Sequence, residues 1–156
     1  RPSLEDIVWL GRRYAETAVE GAAQAIARLS AQGAAVYVVS GGLRAPVVHL
    51  AGVLGVPEAR VHAVAIYHDG QGRYEGFDAS SPLTRSDGKA RIAARLIAQH
   101  GSLVLVGDGV TDVAAREGGA TVIGFGGVAR RQAVIAGADH FIDGPSLAAV
   151  ADYLLG

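Results

Sequence analysis

Two aspartates four residues apart, Asp108 and Asp112, are the residues whose type and spacing first suggest chemistry. They follow an apolar run at 103–106 that predicts a buried strand, and they flank a turn that leads into a helical pattern. In open α/β sheets, ligands bind at the carboxyl ends of the strands, and carboxylates there can hold a hard cation such as Mg²⁺. The same residues also suit a plain Asp-Gly turn followed by a helix N-cap.

A possible anion site follows the apolar run at 35–39, where Ser40, Gly41 and Gly42 predict a turn into the next helix. Glycines let the backbone approach an anion, the free N–H groups of the helix point at it, and the serine adds a hydroxyl donor. The alternative is an ordinary N-cap with a flexible approach.

The third element of this chemistry is a cation, Lys89, at the start of a predicted helix over 89–100. The helix macrodipole is positive at that end, so a lysine there indicates a local anionic partner, the alternative being a solvated surface side chain. An anion-binding turn, a cation and two carboxylates at one sheet edge fit phosphoryl transfer with a divalent metal. A glycine-rich loop at 124–127 ends a further strand, and it is either a tight loop or a flexible connection.

Alternating strands and helices must position these residues, which predicts an α/β fold with a mostly parallel sheet. A boundary is expected near residues 17–21, with one layered domain after it. The predicted helices cover 3–17, 21–30, a segment that follows the turn at 40–42 and ends near 54, 89–100, 130–136 and 146–155. The predicted strands cover 35–39, 61–67, 73–77, 103–106, 121–124 and 141–142. Segments 61–67 and 73–77 are expected to form a β-hairpin.

Composition narrows the function classes. The chain has 156 residues, half of them hydrophobic, a net charge of −1 and no cysteine, which speaks against nucleic-acid binding, disulfides and thiolate chemistry. Apolar runs are too short for a membrane span, and the five histidines lack the spacing of a zinc site. A cytoplasmic protein is therefore expected. The chain opens on Arg1 and contains no methionine, which suggests a fragment, a processed product or an engineered chain.

These motifs, in their order along residues 4–155, resemble the phosphoserine phosphatases of the haloacid dehalogenase superfamily. The segments that carry the resemblance are 38–44, the hairpin segment 72–78, Gly88-Lys89, 107–112, and 124–127 followed by Arg131-Gln132. The resemblance implies a Rossmannoid three-layer α/β/α fold with a mostly parallel sheet and a β-hairpin. It also implies Mg²⁺ as cofactor and a small phosphorylated metabolite as substrate, with a role in serine biosynthesis.

The resemblance further implies a role for each matching residue. Ser40, Gly41 and Gly42 would hold the phosphoryl oxygens, and Lys89 would neutralise the phosphate and orient the nucleophile. Asp108 and Asp112 would form the metal site, with Asp108 as a ligand of Mg²⁺ and Asp112 as support for the metal-bound water or the lysine. Thr111 and Arg131 would lie near the substrate or its phosphate.

One motif of the superfamily, the Asp-x-Asp-x-Thr segment that supplies the nucleophile after a central first strand, does not occur in these 156 residues. Residues 1–17 are then interpreted as the remnant of a helical cap, and residues 18–156 as a core that lacks its first strand. The chain is expected to be inactive alone and to be completed by a missing N-terminal segment or a second chain. The alternatives are a non-catalytic phosphate-binding module and a related phosphatase for another small phosphomonoester.

The missing strand has a consequence for the sheet. Strands 35–39 and 103–106 are predicted to be buried on both faces, with the absent strand between them. Either another segment fills that gap, which is the favoured arrangement, or the two strands close up and pair directly.

Overall fold

The computed structural model describes residues 1–156 and divides them into two units. The first unit comprises residues 1–18 and 22–84, and the second comprises residues 19–21 and 85–156. The first unit contains α1 (Leu4–Glu16), α2 (Ala22–Ala31), β1 (Val38–Leu43), α3 (Arg44–Val53), β2 (Val61–Val64), β3 (Ile66–His68) and β4 (Tyr74–Phe77). The second contains α4 (Gly88–His100), β5 (Val104–Gly107), α5 (Val110–Val113), β6 (Thr121–Phe125), α6 (Gln132–Gly137), β7 (His140–Ile142) and α7 (Ala148–Leu155). Short 3₁₀ turns lie at Glu58–Arg60, Pro82–Thr84 and Ala114–Gly118.

Helix α1 begins at a capping box. The amide of Asp6 donates to the Ser3 hydroxyl at 3.2 Å, and the amide of Ser3 donates to the Asp6 carboxylate at 2.7 Å. These hydrogen bonds satisfy amides that a helix N-terminus otherwise leaves unpaired. The helix packs against α3, with Gly11 facing His49, inside the first unit. The predicted helix is confirmed, whereas its origin in a cap stays a prediction.

Strand β1 pairs in parallel with β2, and its position corrects two predictions. It covers 38–43 rather than 35–39, so Ser40, Gly41 and Gly42 belong to a strand and not to a turn. The register of the β1–β2 pairing shifts between Val39 and Leu43, where residues 40–42 of β1 form a bulge opposite the single residue Ala63 of β2. Helix α3 begins at Arg44, which places Pro46 in its first turn, where proline fits, rather than in the helix interior, where it does not.

The predicted strand 61–67 is divided between two sheets. Its first half, β2, pairs with β1, and after Ala65 the chain continues as β3, which pairs antiparallel with β4 in the predicted hairpin. The Asp69 carboxylate closes the hairpin loop by accepting the amides of Gln71 and Arg73 at 2.8 and 2.9 Å. Hydrogen bonds from Arg73, first from its amide, lower the pKa of Asp69.

The second unit is built on the parallel sheet β5-β6-β7, and its core lies on β6. Val122 and Ile123 are 0% and 1% exposed, whereas Val104 of β5 is 40% exposed. The prediction that strands 35–39 and 103–106 are buried on both faces is therefore wrong, since no residue of β1 or β5 is buried. Each of these two strands has one hydrogen-bonded neighbour, in its own unit, and no strand pairs with its other edge.

Two of the three sheets, β1-β2 and β5-β6-β7, are parallel, and the third is the antiparallel hairpin β3-β4. This arrangement confirms the predicted α/β class with mostly parallel strands. What occupies the open edges of β1 and β5 stays a prediction. None of the helices combines the length with the apolar character that crossing a bilayer requires.

Candidate active site

An ion pair between Lys89 and Asp112 forms the centre of the candidate site. Lys89 is the second residue of α4 and Asp112 the third residue of α5, and the Lys89 Nζ lies 2.5 Å from the Asp112 Oδ1. Their side chains are 17% and 9% exposed, and Lys89 is the only lysine of the chain. A cation at a helix N-terminus opposes the macrodipole, and the carboxylate supplies the anionic partner that the sequence indicates.

The second oxygen of Asp112 is also engaged, because the amide of Gly109 donates to its Oδ2 at 2.9 Å. Gly107 makes room for this arrangement, since a Cβ atom at that position would overlap the Asp112 carboxyl group. The carboxylate is thus fixed between a strand end and a helix start. It serves as a fixed acceptor that orients the Lys89 ammonium.

Asp108 makes a different and more exposed contact. Arg131, the residue that precedes α6, donates through Nη1 to both the carbonyl oxygen and the Oδ2 of Asp108, each at 2.7 Å. The two side chains are 51% and 35% exposed. Solvent weakens such a pair, so a ligand can displace the arginine from the carboxylate at little cost.

Whether these residues fit Mg²⁺ depends on which carboxylate oxygens are available as ligands. Both oxygens of Asp112 accept hydrogen bonds, from Lys89 and from Gly109, so Asp108 is the carboxylate between β5 and α5 that could bind a cation. Mg²⁺ takes oxygen ligands in octahedral geometry and keeps several waters, with one or two carboxylates. No group of three or more acidic, histidine or cysteine side chains suited to a metal ion is present. The chain therefore supplies a donor that fits Mg²⁺, but not a complete site.

The predicted phosphate-binding residues lie in the first unit, on the bulge of β1. The Ser40 hydroxyl accepts a hydrogen bond from the Gly42 amide at 3.0 Å and keeps its own proton for donation. Gly41 is exposed and lines a cavity of about 610 Å³ that apolar side chains, such as Leu43 and Phe77, also border. Nothing in the sequence had indicated that cavity.

The structure brings together five of the predicted site residues in the second unit, namely Lys89, Asp108, Thr111, Asp112 and Arg131. Thr111 belongs to the first turn of α5, beside Gly109 and Asp112. The association of Ser40, Gly41 and Gly42 with these residues stays a prediction, as do all the catalytic and binding roles. Sequence reasoning missed the anchoring role of Gly109, although the Gly-Asp-Gly turn was its visible signal.

A further acidic side chain stands at the start of α4. Asp87 precedes the helix, and its Oδ2 accepts from the Arg91 Nε at 2.6 Å. This hydrogen bond is the main cause that lowers the pKa of Asp87. The N-terminus of α4 thus keeps a negative charge that the macrodipole favours.

Comparison with known proteins gives one family and several relatives. The family model of haloacid dehalogenase-like hydrolases matches residues 2–117. Phosphoserine phosphatase of Bos taurus is 33% identical over 144 residues, which cover 91% of this chain and 64% of the relative. The chloroplastic phosphoserine phosphatase of Arabidopsis thaliana is 35% identical over 126 residues, which cover 78% of this chain and 43% of the relative. The chain thus spans between about two fifths and two thirds of the length of these two proteins.

Among solved structures, a phosphoserine phosphohydrolase-like protein from Francisella tularensis aligns with a TM-score of 0.82 at 22% identity. The alignment covers 98% of this chain and 71% of that one. At this identity the likeness concerns the fold alone.

Proposed function

Because this chain belongs to the haloacid dehalogenase-like hydrolase family, we propose that it forms part of a Mg²⁺-dependent phosphomonoester hydrolase. The observation that carries the proposal is the largely buried pair of Lys89 and Asp112 at the carboxyl end of β5. A lysine held in place in this way suits phosphoryl transfer, in which positioning and electrostatic stabilisation supply most of the rate.

In the proposed reaction the Lys89 ammonium neutralises charge on the phosphoryl oxygens, and Asp112 keeps that ammonium oriented. Ser40 donates its hydroxyl hydrogen, and the amide of Gly41 donates beside it. Gly42, whose amide donates to the Ser40 hydroxyl, keeps that hydroxyl oriented. Asp108 would hold Mg²⁺, which when bound withdraws charge from the phosphoryl group. Thr111 and Arg131 would contact the substrate or its phosphate.

The attacking carboxylate is proposed to come from sequence outside these residues. An Asp-x-Asp-x-Thr segment is absent from residues 1–156, and the chain covers 64% and 43% of the two relatives. Covalent catalysis requires the nucleophile itself, so the 156 residues alone are expected to be inactive. A missing N-terminal segment or a second chain would supply it.

Phosphoserine is the proposed substrate, because two relatives at 33% and 35% identity carry that name. A part in serine biosynthesis and a cytoplasmic location go with this proposal, although one relative is named as chloroplastic. Cell fractionation with an antibody to the chain would test the location.

Phosphate release from phosphoserine tests the activity. The chain should be compared with the protein extended by its natural upstream sequence, each with Mg²⁺ and with a chelator, and with other small phosphomonoesters beside phosphoserine. Only the extended protein with Mg²⁺ should release phosphate, fastest from phosphoserine. In that protein, Lys89→Ala should lower kcat by about 10²–10³-fold, as loss of a charge-stabilising donor does elsewhere.

Arg91→Ala is the matched control, since it removes a cation from an exposed pair on the same helix. It should leave turnover nearly unchanged. Turnover by residues 1–156 alone, or an active Lys89→Ala variant, would contradict the mechanism.

The absence of the Asp-x-Asp-x-Thr segment also favours a second candidate, a non-catalytic phosphate-binding module. Titration calorimetry with inorganic phosphate separates the two. Phosphate binding without any turnover by the extended protein would support the module.

A further inference from the structure

The turn after α5 packs against α4, and this packing sets the distance between the two elements that carry Lys89 and Asp112. Helix α5, which carries Asp112, continues without a break into the 3₁₀ turn Ala114–Gly118. That turn packs against α4, which carries Lys89. The distance between the two elements therefore sets how far the lysine has to reach.

Gly118 is the residue of the turn that faces the backbone of α4 at Ala90. A Cβ atom there would overlap the carbonyl oxygen of Ala90 and would stand 3.1 Å from the Ala90 Cα. Ala90 follows Lys89 directly in the first turn of α4. The obstacle is main chain, so a rotamer change cannot relieve it, and the two elements would have to separate.

The residues around this contact are closely packed. Ala93 of α4 and Ala115 of the turn belong to one buried cluster and are 1% and 0% exposed. Close-packed interiors transmit a displacement to their neighbours rather than absorb it. Asp112 is anchored on the Gly109 amide, so a separation of the two elements would move Lys89 away from the Asp112 carboxylate that it contacts at 2.5 Å.

We propose that Gly118 is a positioning residue: by letting the turn touch the backbone of Ala90, it sets the distance at which Lys89 meets Asp112. The functional meaning of this role rests on the proposed phosphatase function. The positioning itself does not, because it can be read on the lysine without any turnover.

The single lysine makes the test direct, since isotope-labelled lysine gives one side-chain ammonium signal. In the wild-type chain at low temperature, the paired and shielded Lys89 ammonium should exchange slowly enough to be observed by NMR. Gly118→Ala should lose this signal while the backbone amide spectrum still reports a folded chain. Gly52→Ala, a glycine change in α3 with no atom within 4 Å of the new Cβ, should keep it.

Asp112→Asn is the positive control for loss of the signal. A Gly118→Ala variant that keeps the wild-type ammonium signal would overturn the proposal, even if its melting temperature falls. If Gly118→Ala does not fold, Ala93→Val widens the same contact from the α4 side, and retention of the signal there would overturn it as well.

Activity of the extended protein separates this inference from the proposed function. If the wild-type protein shows no phosphatase activity, the function fails and the NMR result still decides the positioning role. If it is active, Gly118→Ala should lower kcat more than it raises KM, because it misplaces a group that acts on the transition state.

Discussion

At the scale of single residues, Asp112 is the one charged residue that the fold buries, and both its oxygens are engaged. An asparagine keeps the size and can still accept from the Gly109 amide, but it cannot balance the Lys89 charge. A buried charge without its counterion is costly. We therefore expect Asp112 to contribute to the stability of the unit as well as to the proposed reaction.

Asp112→Asn should therefore lower the free energy of unfolding by about 1–3 kcal/mol at neutral pH. Chemical denaturation followed by circular dichroism measures this change. Asp87→Asn, which breaks the exposed pair with Arg91, is the matched control and should have little effect. Equal stability of Asp112→Asn and the wild type would show that the pair contributes no net stabilisation.

Asp139 gives a pH-dependent contribution at the same scale. Its carboxylate accepts the Val122 amide at 2.8 Å and pairs with Arg116 at 2.9 Å. The hydrogen bond from Val122 is the main cause that lowers its pKa below the ordinary value of 3.8. A lowered pKa means that stabilisation is complete above the ordinary value and disappears as the pH falls through the folded-state pKa.

Asp139→Asn should consequently lower the melting temperature at neutral pH, and the difference from the wild type should shrink as the pH falls below 3.8. Thermal unfolding across this pH range measures it. Glu117→Gln, on the exposed face of the neighbouring turn, is the control. A difference that persists unchanged in acid would mean that the charge of Asp139 is not its cause.

At the scale of elements, strands with similar apolar sequences have different burial. Strand β6 has a hydrogen-bonded partner on both sides and carries the core, whereas β5 has one partner and contains no fully buried residue. Position in the sheet, rather than composition, decides what each strand contributes. For that reason the sequence pattern alone could not predict which of these strands is the more buried.

Ile123→Ala in β6 should lower the free energy of unfolding by about 2–5 kcal/mol, since it leaves a cavity in a closed core. Val104→Ala in β5 should cost less than about 1 kcal/mol, because little apolar surface is lost from water there. Urea denaturation of both variants measures the contrast. A similar cost for the two would contradict the core assigned to β6.

Local signals predicted several elements well. Helix α1, the hairpin and the apolar runs of β5 and β6 all depend on neighbours within a few residues. The start of β1 and the division of 61–67 at Ala65 depend instead on which strand pairs with which, and that is decided across the fold. In the candidate site, the sequence predicted an anionic partner for Lys89. It could not predict a role for Gly118, because that role depends on contact with the backbone of Ala90, twenty-eight residues earlier in the chain.

At the scale of the whole molecule, β1 and β5 each leave a row of backbone donors and acceptors without a strand partner. Unpaired edges with apolar side chains are surfaces at which chains associate. The expected occupant is the segment that also brings the nucleophile.

Residues 1–156 should therefore self-associate as concentration rises, while the protein with its natural upstream sequence stays a smaller and uniform species. Analytical ultracentrifugation over a concentration series measures both. A monomeric short chain at high concentration would contradict the expectation that its strand edges require cover.

The single lysine has one more consequence, for proteolysis. A lysine-specific endoprotease has one peptide bond to cut, between Lys89 and Ala90, in the first turn of α4. Ala90 is buried, so cleavage requires that this turn opens first. When opening and closing are fast, the cleavage rate reports the population of the open form. The cut leaves fragments 1–89 and 90–156, which nearly coincide with the two units. The rate at which the uncut band disappears from a gel would thus report the fraction of molecules in which the first turn of α4, with the candidate catalytic lysine, is open.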